Sequence, residues 1–177
     1  MSLEESRIQR VQQLFAGCGE TIDTEYARAL CAERLEIYLR SRQAVPGAVP
    51  LLEELSRQAR IAIVTNNFTE EQRGKLDACG MSHLVDFLVT SENTGCVKPN
   101  VEIFQSALEQ LQCKAEDAVM VGDSWDVDVI GARNAGIRAV WFNRQRAARP
   151  MPGLTEITEL HSYEPVSQAI ARILENA

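Results

Sequence analysis

An apolar run ends in three carboxylates within the segment Ala118-Val119-Met120-Val121-Gly122-Asp123-Ser124-Trp125-Asp126-Val127-Asp128. Four consecutive apolar residues, two of them β-branched, are typical of a strand that is covered on both faces of a parallel sheet. Gly122 permits a tight turn, so Asp123 is the first side chain beyond the strand, where open α/β sheets bind their ligands. Clustered carboxylates repel one another unless a cation lies between them, and oxygen ligands of this kind suit Mg2+. The segment therefore predicts a metal site at the tip of a strand.

The same carboxylates have a second interpretation. Acidic residues are common at the N-termini of helices, and Ser124 or Asp126 could cap the helix that follows. Both interpretations place Asp123 at the junction between a strand and a helix, so both stay open at this point.

Composition restricts the class of protein. The chain has 177 residues, of which 45% are hydrophobic and 24% are charged, which is typical of a globular domain with a sizeable core. A formal net charge of -7 without a basic stripe disfavours nucleic acid as a partner. No apolar run is long enough to cross a bilayer, so we expect no membrane partner. Five cysteines without a C-x-x-C pair are typical of reduced thiols, which predicts a cytoplasmic protein.

The hydrophobic pattern divides the chain near residue 45. Before that point the apolar residues recur at helical spacing, with no strand. From Ile61 onward, short apolar runs alternate with amphipathic segments, which predicts βαβ units in an α/β fold with a Rossmann-like, doubly wound parallel sheet. We therefore expect a helical domain over residues 1–45 and an α/β core over residues 46–177.

The pattern also gives bounds for each element. The predicted helices are Glu4–Phe15, Thr24–Arg42, Val49–Gln58, Glu70–Cys79, Val101–Leu111, Val127–Ala135 and Glu164–Leu174. The predicted strands are Ile61–Thr65, Phe87–Thr90, Ala118–Asp123, Ala139–Asn143 and Glu156–Leu160.

Polar residues follow several of these strands, and parallel strands all end at one edge of a sheet. Thr65 and Asn66 follow the first strand, where a hydroxyl and backbone N–H groups can hold a phosphate oxygen. Lys98 lies in a later loop, and Asp123 and Asp128 complete the set. An ammonium, a hydroxyl and metal-binding carboxylates together suit a phosphoryl group. Taken separately, Thr65 and Asn66 are equally typical of a helix cap, and a loop lysine is usually only solvated.

These residues resemble the motifs of the haloacid dehalogenase superfamily of phosphohydrolases. Ile63-Val64-Thr65-Asn66 resembles the second motif of that family, Lys98-Pro99 its third, and the run from Gly122 to Asp128 its fourth. Val140-Trp141-Phe142-Asn143 is similar to the next strand in a subgroup that includes nucleoside 5'-monophosphate phosphatases. The resemblance covers roughly Pro46 to Asn143.

The resemblance implies a role for each matching residue. Thr65 and Asn66 would bind the substrate phosphoryl group, and Lys98 would neutralise both that group and the nucleophile. Asp123 would bind Mg2+, with Asp128 supporting the metal directly or through water. Lys98 and Asp123 would then be the catalytic residues of this chain.

The first motif of the family, an Asp-x-Asp pair at the end of a first strand, is absent from this sequence. Asp23 is the only aspartate before Thr65, and it lies between two predicted helices. The resemblance therefore implies that the first strand is missing and that residues 1–45 are part of a helical cap. That strand would lie between those ending at Thr65 and Asp123, so three arrangements stay open. The two strands pair directly, a strand of another chain fills the slot, or the sequence omits residues of the working protein.

Two functional hypotheses follow. The first is a Mg2+-dependent phosphomonoester hydrolase that transfers the phosphoryl group to an aspartate and then to water, with this chain inactive alone because it lacks that aspartate. The second is a truncated or degenerate relative that is not catalytic and at most binds metal or a phosphorylated ligand. A receiver-like signalling domain is a third reading, which the order of the motifs opposes.

The expected ligand is a small phosphorylated metabolite. The strand ending at Asn143 suggests a nucleoside monophosphate. An open slot in a sheet also favours pairing between copies, so we expect a homodimer more than for an average chain.

Overall fold

The computed structural model describes residues 3–175. The chain forms two compact units, one that ends at Gln43 and one that begins at Ala44. Within the described residues, the first unit is helical and the second contains all the strands. The predicted domains, 1–45 and 46–177, include residues 1–2 and 176–177, which lie outside the described part.

The first unit is a pair of helices. They are α1 (Leu3–Gly17) and α2 (Thr24–Arg40). Asp23 precedes α2 as its N-cap, and its carboxylate accepts a hydrogen bond of 2.7 Å from the backbone N–H of Tyr26. Among the side chains of the pair that the structure describes, the buried apolar ones are Ile8 and Ala27. Asp23 therefore serves as a helix cap in this unit.

The second unit alternates strands and helices. Its strands are β1 (Ala62–Thr65), β2 (Phe87–Thr90), β3 (Val119–Gly122), β4 (Arg138–Phe142) and β5 (Thr158–Leu160). Its α-helices are α3 (Ala48–Leu55), α4 (Thr69–Ala78), α5 (Ser91–Thr94), α6 (Val101–Leu111), α7 (Gly131–Asn134) and α8 (Val166–Leu174). Every strand pair is parallel, which confirms the predicted α/β fold. No helix within residues 3–175 is long and apolar enough to cross a membrane.

The strands form two sheets. β1 pairs with β2 from Ala62 opposite Phe87 to Thr65 opposite Thr90, and β4 pairs with both β3 and β5. In the part of the chain that the structure describes, β1 and β3 each pair on one side and not with each other. Direct pairing of these two strands, one of the three arrangements left open by the sequence, is therefore wrong.

Strand β4 lies between two hydrophobic clusters. Ala139 and Trp141 belong to the cluster that includes α6, whereas Val140 and Phe142 belong to the cluster that includes α3 and α8. Successive side chains of a strand point to opposite faces, so this alternation shows helices covering both faces of the sheet. All four residues are buried, which explains the continuous apolar run in the sequence.

The segment after β3 differs from its prediction as one regular helix over Val127–Ala135. A π-helical turn spans Trp125–Ile130, with Val129 N donating to Ser124 O at 3.2 Å, and α7 follows it. Ser124 precedes the turn but its side chain makes no capping hydrogen bond, so the predicted side-chain cap is wrong there. The wide turn instead brings the Asp128 side chain back to the N–H of Ser124, at 3.0 Å.

Candidate active site

Lys98 connects two segments at the edge where the parallel strands end. Its ammonium Nζ donates to the carbonyl oxygen of Val64 in β1 at 2.7 Å and to Asp128 Oδ1 at 2.6 Å. Asp128 lies in the π-helical turn that follows β3. The lysine therefore joins the end of β1 to the residues beyond β3, as the sequence predicts for residues that follow parallel strands.

The ion pair between Lys98 and Asp128 is almost completely buried. The two side chains are 11% and 7% exposed, and the second oxygen of Asp128 accepts the hydrogen bond from Ser124 N. Gly122 makes room for this carboxylate, because a Cβ atom at Gly122 would lie 2.3 Å from Asp128 Cβ. A buried ion pair is costly to break, since either partner alone would be an uncompensated charge. The pair is thus a fixed electrostatic feature of the site.

Asn66 holds the loop that carries Lys98. Its side-chain Nδ2 donates to Lys98 O at 3.0 Å, and its Oδ1 accepts from Lys98 N at 2.7 Å. One amide group therefore satisfies both backbone groups of a residue that is 32 positions away in sequence.

Thr65 is the last residue of β1 and begins a turn. Its Oγ1 accepts a hydrogen bond of 3.3 Å from Asn67 N. The helix α4 that follows is capped from elsewhere, because Thr69 N donates to Glu92 Oε2 at 2.9 Å. That hydrogen bond holds the pKa of the Glu92 carboxyl below its ordinary value. The interpretation of Thr65 and Asn66 as helix caps is therefore wrong.

Asp123 is exposed and lines a cavity of about 540 Å3. Its main chain is fixed, because Trp141 Nε1 donates to Asp123 O at 3.0 Å. Tyr163 lines the same cavity and stacks on Phe142 with ring centroids 4.1 Å apart. Burial, together with the negative charge of Asp123, raises the pKa of Tyr163 to about 12.

Asp123 and Asp128 are the candidate ligands for a metal ion. Within residues 3–175, no three His, Cys, Asp or Glu residues come together as a complete ligand set. Mg2+ does not need such a set, because it keeps several waters and binds through one or two carboxylates. Asp123 presents an exposed carboxylate, whereas both oxygens of Asp128 already accept hydrogen bonds. The donor chemistry therefore fits Mg2+ with Asp123 as ligand and Asp128 in a supporting position.

Trp125 lies between the acids in sequence but packs into the core. It is 5% exposed and meets Trp141 edge to face, with ring centroids 4.9 Å apart. Trp141 thus contacts Trp125 with its ring and holds Asp123 with its N–H. No pattern in the sequence indicates this role of Trp141, because an apolar strand residue is expected in the core in any case.

The loop after β4 is held by a polar network that the sequence did not predict. Arg149 donates to the carbonyl oxygens of Leu154 and Ile157 and pairs with Glu159 Oε2 at 3.2 Å. Asn143 Nδ2 donates to the other oxygen of Glu159 at 2.6 Å. Burial opposes ionisation of Glu159, but these hydrogen bonds outweigh it and lower its pKa. Arg149 therefore has a structural role in this loop.

Comparisons with known proteins agree with this architecture. Residues 3–136 match the haloacid dehalogenase-like hydrolase family. The pyrimidine 5'-nucleotidase YjjG of Escherichia coli is 39% identical over 124 residues, which cover 68% of this chain and 55% of that protein. The glyceraldehyde 3-phosphate phosphatase of Methanothermobacter thermautotrophicus is 39% identical over 54% of this chain and 42% of its own length. The chain thus spans about half the length of the curated relatives it matches.

Solved structures show the same fold. YfnB from Bacillus subtilis, solved bound to magnesium, superposes with a TM-score of 0.77 at 25% identity, over 96% of this chain and 73% of that one. The 2-haloacid dehalogenase from Pseudomonas syringae gives a TM-score of 0.69 at 28% identity, over 96% and 72% of the two chains.

Proposed function

Because this chain belongs to the haloacid dehalogenase-like hydrolase family, we propose that it represents a Mg2+-dependent phosphomonoester hydrolase of that type, in a chain that lacks the aspartyl nucleophile motif. The observation that carries the proposal is the buried pair of Lys98 and Asp128 beside Asp123 at the ends of parallel strands. The names of the two curated relatives above, a nucleotidase and a phosphatase, support phosphate esters as the substrate class.

The charges of the site support a requirement for Mg2+. Asp128 offsets the charge of Lys98, so Lys98, Asp123 and Asp128 together carry one negative charge in excess. Such a site repels a phosphoryl dianion unless a further cation is present. Mg2+ bound through Asp123 would offset the charge on the phosphoryl oxygens.

The remaining residues orient the phosphoryl group in this proposal. The Thr65 hydroxyl and the turn that includes Asn66 provide hydrogen-bond donors at the end of β1. Lys98, fixed by Val64 O and Asp128, places its ammonium against the same group and against the attacking carboxylate. In this proposal Asp128 supports the metal and also pairs with the Lys98 ammonium.

We expect residues 1–177 to bind ligand without turnover. No Asp-x-Asp pair occurs before Thr65. The single aspartate of that segment, Asp23, caps a helix, so we assign no aspartyl nucleophile there. A non-catalytic relative that binds metal or a phosphorylated ligand is the second candidate, favoured by the same observation.

Hydrolysis of p-nitrophenyl phosphate, with Mg2+ and with EDTA, tests this expectation beside an Asp123→Ala variant. No release of p-nitrophenol from a folded sample is the expected result. Mg2+-dependent release that the variant lacks would support phosphatase activity and would show that a nucleophile had been misread.

We also propose the domain organisation, the ligand, the cellular location and the oligomeric state. Residues 1–45 form part of a helical cap and residues 46–177 the core, and the substrate is a small phosphorylated metabolite such as a nucleoside monophosphate. All five cysteines lack a disulfide partner, which supports a cytoplasmic location. Within residues 3–175, β1 and β3 each pair on one side only, which supports a homodimer; sedimentation of the purified chain would test this.

A further inference from the structure

We propose that the side chain of Asn66 is a positioning residue for the Lys98 ammonium. Its carboxamide forms two hydrogen bonds with the backbone of Lys98, one as donor and one as acceptor. A side-chain amide that matches both the N–H and the C=O of one residue fixes the position and the orientation of that peptide segment.

The position of the Lys98 backbone matters because its side chain has little freedom. Nζ must reach Val64 O at 2.7 Å and Asp128 Oδ1 at 2.6 Å, while the side chain is 11% exposed. The loop that carries Lys98 is tied to the end of β1 by Asn66, directly after the strand residue Thr65. Asn66 therefore sets the point from which the lysine side chain extends.

Asn66 and its neighbour Asn67 form different kinds of side-chain contact. Asn67 Oδ1 accepts from Phe68 N at 2.9 Å, a contact within the local turn. Asn66 instead bonds a loop 32 positions away and so links β1 to the segment between α5 and α6. Its side chain thus acts on phosphate binding through Lys98, and this step alone rests on the proposed function.

Acetylation with acetic anhydride, followed by mass spectrometry, tests the inference without any enzymatic activity. Lys98 should react slowly in the wild-type chain compared with Lys114, whose side chain is 77% exposed. Asn66→Ala should raise the rate at Lys98 relative to Lys114 by about fivefold, because two hydrogen bonds that hold the loop are lost. Asn100→Ala is the matched control, since Asn100 is exposed in the same loop and makes no side-chain cap.

Asn66→Asp provides a second variant if Asn66→Ala fails to fold. It retains an acceptor for Lys98 N but sets an oxygen in place of the donor to Lys98 O, so a rise in the Lys98 rate is expected in this variant as well. A Lys98 rate in folded Asn66→Ala within about twofold of the wild-type rate would overturn the inference.

Binding of inorganic phosphate in the presence of Mg2+ then tests the functional step. Asn66→Ala should weaken binding several-fold in the wild-type background and have little effect in a Lys98→Met background, since both changes act through one group. An undiminished effect of Asn66→Ala in the Lys98→Met background would show that Asn66 acts on phosphate by itself. Absence of phosphate binding by the wild-type chain would contradict the proposed function, while the acetylation rates would still decide the role of Asn66.

Discussion

Lys98 Nζ lies 2.6 Å from Asp128 Oδ1, and this ion pair joins two segments that are 30 residues apart in sequence. Both partners are nearly buried, and each has a further hydrogen bond, from Lys98 to Val64 O and from Ser124 N to Asp128. The pair accounts for the arrangement of the site, because it holds the residues after β3 against the end of β1.

We expect Asp128→Asn to destabilise the chain by about 3 kcal/mol, because the Lys98 ammonium would be left buried without a counter-charge. Urea denaturation measures this change. Glu116→Gln is the control, since it removes a pair with Lys114 that is 77% and 73% exposed, and such surface pairs contribute about 0–1 kcal/mol. Equal losses for the two variants would show that burial of the Lys98 pair has no energetic effect.

Gly122→Ala should displace Asp128. The new Cβ would lie 2.3 Å from Asp128 Cβ and 2.7 Å from Oδ2, so the π-helical turn must move. We expect a loss of about 1–3 kcal/mol in the free energy of unfolding, as for overpacked cores, together with weaker Mg2+ binding. Gly153→Ala is the matched control, because nothing lies within 4 Å of its Cβ position. Unchanged stability of Gly122→Ala would contradict this packing.

The Tyr163 hydroxyl should lose its proton at an unusually high pH, and its pKa should depend on the charge of Asp123. Its pKa is raised from 10.0 to about 12, mainly by burial and further by Asp123. The folded pKa exceeds the unfolded one, so this contribution to stability is complete below pH 10 and is lost as the pH rises through 12.

Phenolate absorbance, taken as the difference from Tyr163→Phe, measures that titration. Asp123→Asn should lower the pKa of Tyr163, because it removes a nearby negative charge. An unchanged or higher value in Asp123→Asn would show that Asp123 does not face this pocket as described.

Glu92 should add stability at neutral pH that disappears in acid. Its pKa is lowered from 4.5 chiefly by the hydrogen bond from Thr69 N. A lowered folded pKa means that the contribution is present above pH 4.5 and is lost as the pH falls through the folded value. The melting temperature should fall less over this pH range in Glu92→Gln than in the wild-type chain. In Glu109→Gln, which changes an exposed position of α6, the fall should equal that of the wild-type chain. Identical acid dependence of wild-type and Glu92→Gln chains would argue against the helix cap.

Several elements were predictable because their determinants are local. Strand β2 and helix α6 have the predicted bounds, Phe87–Thr90 and Val101–Leu111. In α6 the buried residues Ile103, Phe104 and Ala107 lie at helical spacing, so periodicity alone indicates the buried face. The convergence of Lys98 with Asp128 was also predictable, since parallel strands end at one edge.

Other features depend on contacts between distant residues. The π-helical turn follows from the position of Asp128 against Gly122 and Ser124, which no periodicity shows. The contact of Asn66 with Lys98 spans 32 residues, and that of Arg149 with Glu159 spans 10 residues across an irregular loop. Patterns of hydrophobicity do not specify which side chains meet across such loops.

Calorimetric titration with inorganic phosphate, in MgCl2 and in EDTA, shows whether Asp123 and Mg2+ together create the phosphate site. Because Lys98, Asp123 and Asp128 together carry one negative charge in excess, we predict binding in MgCl2, none in EDTA, and none in either for Asp123→Ala. Asp126→Ala, which changes an exposed acid of the same turn, should bind as the wild-type chain does. Equal phosphate affinity with and without Mg2+, or undiminished binding by Asp123→Ala, would show that Asp123 and Mg2+ do not form the phosphate site.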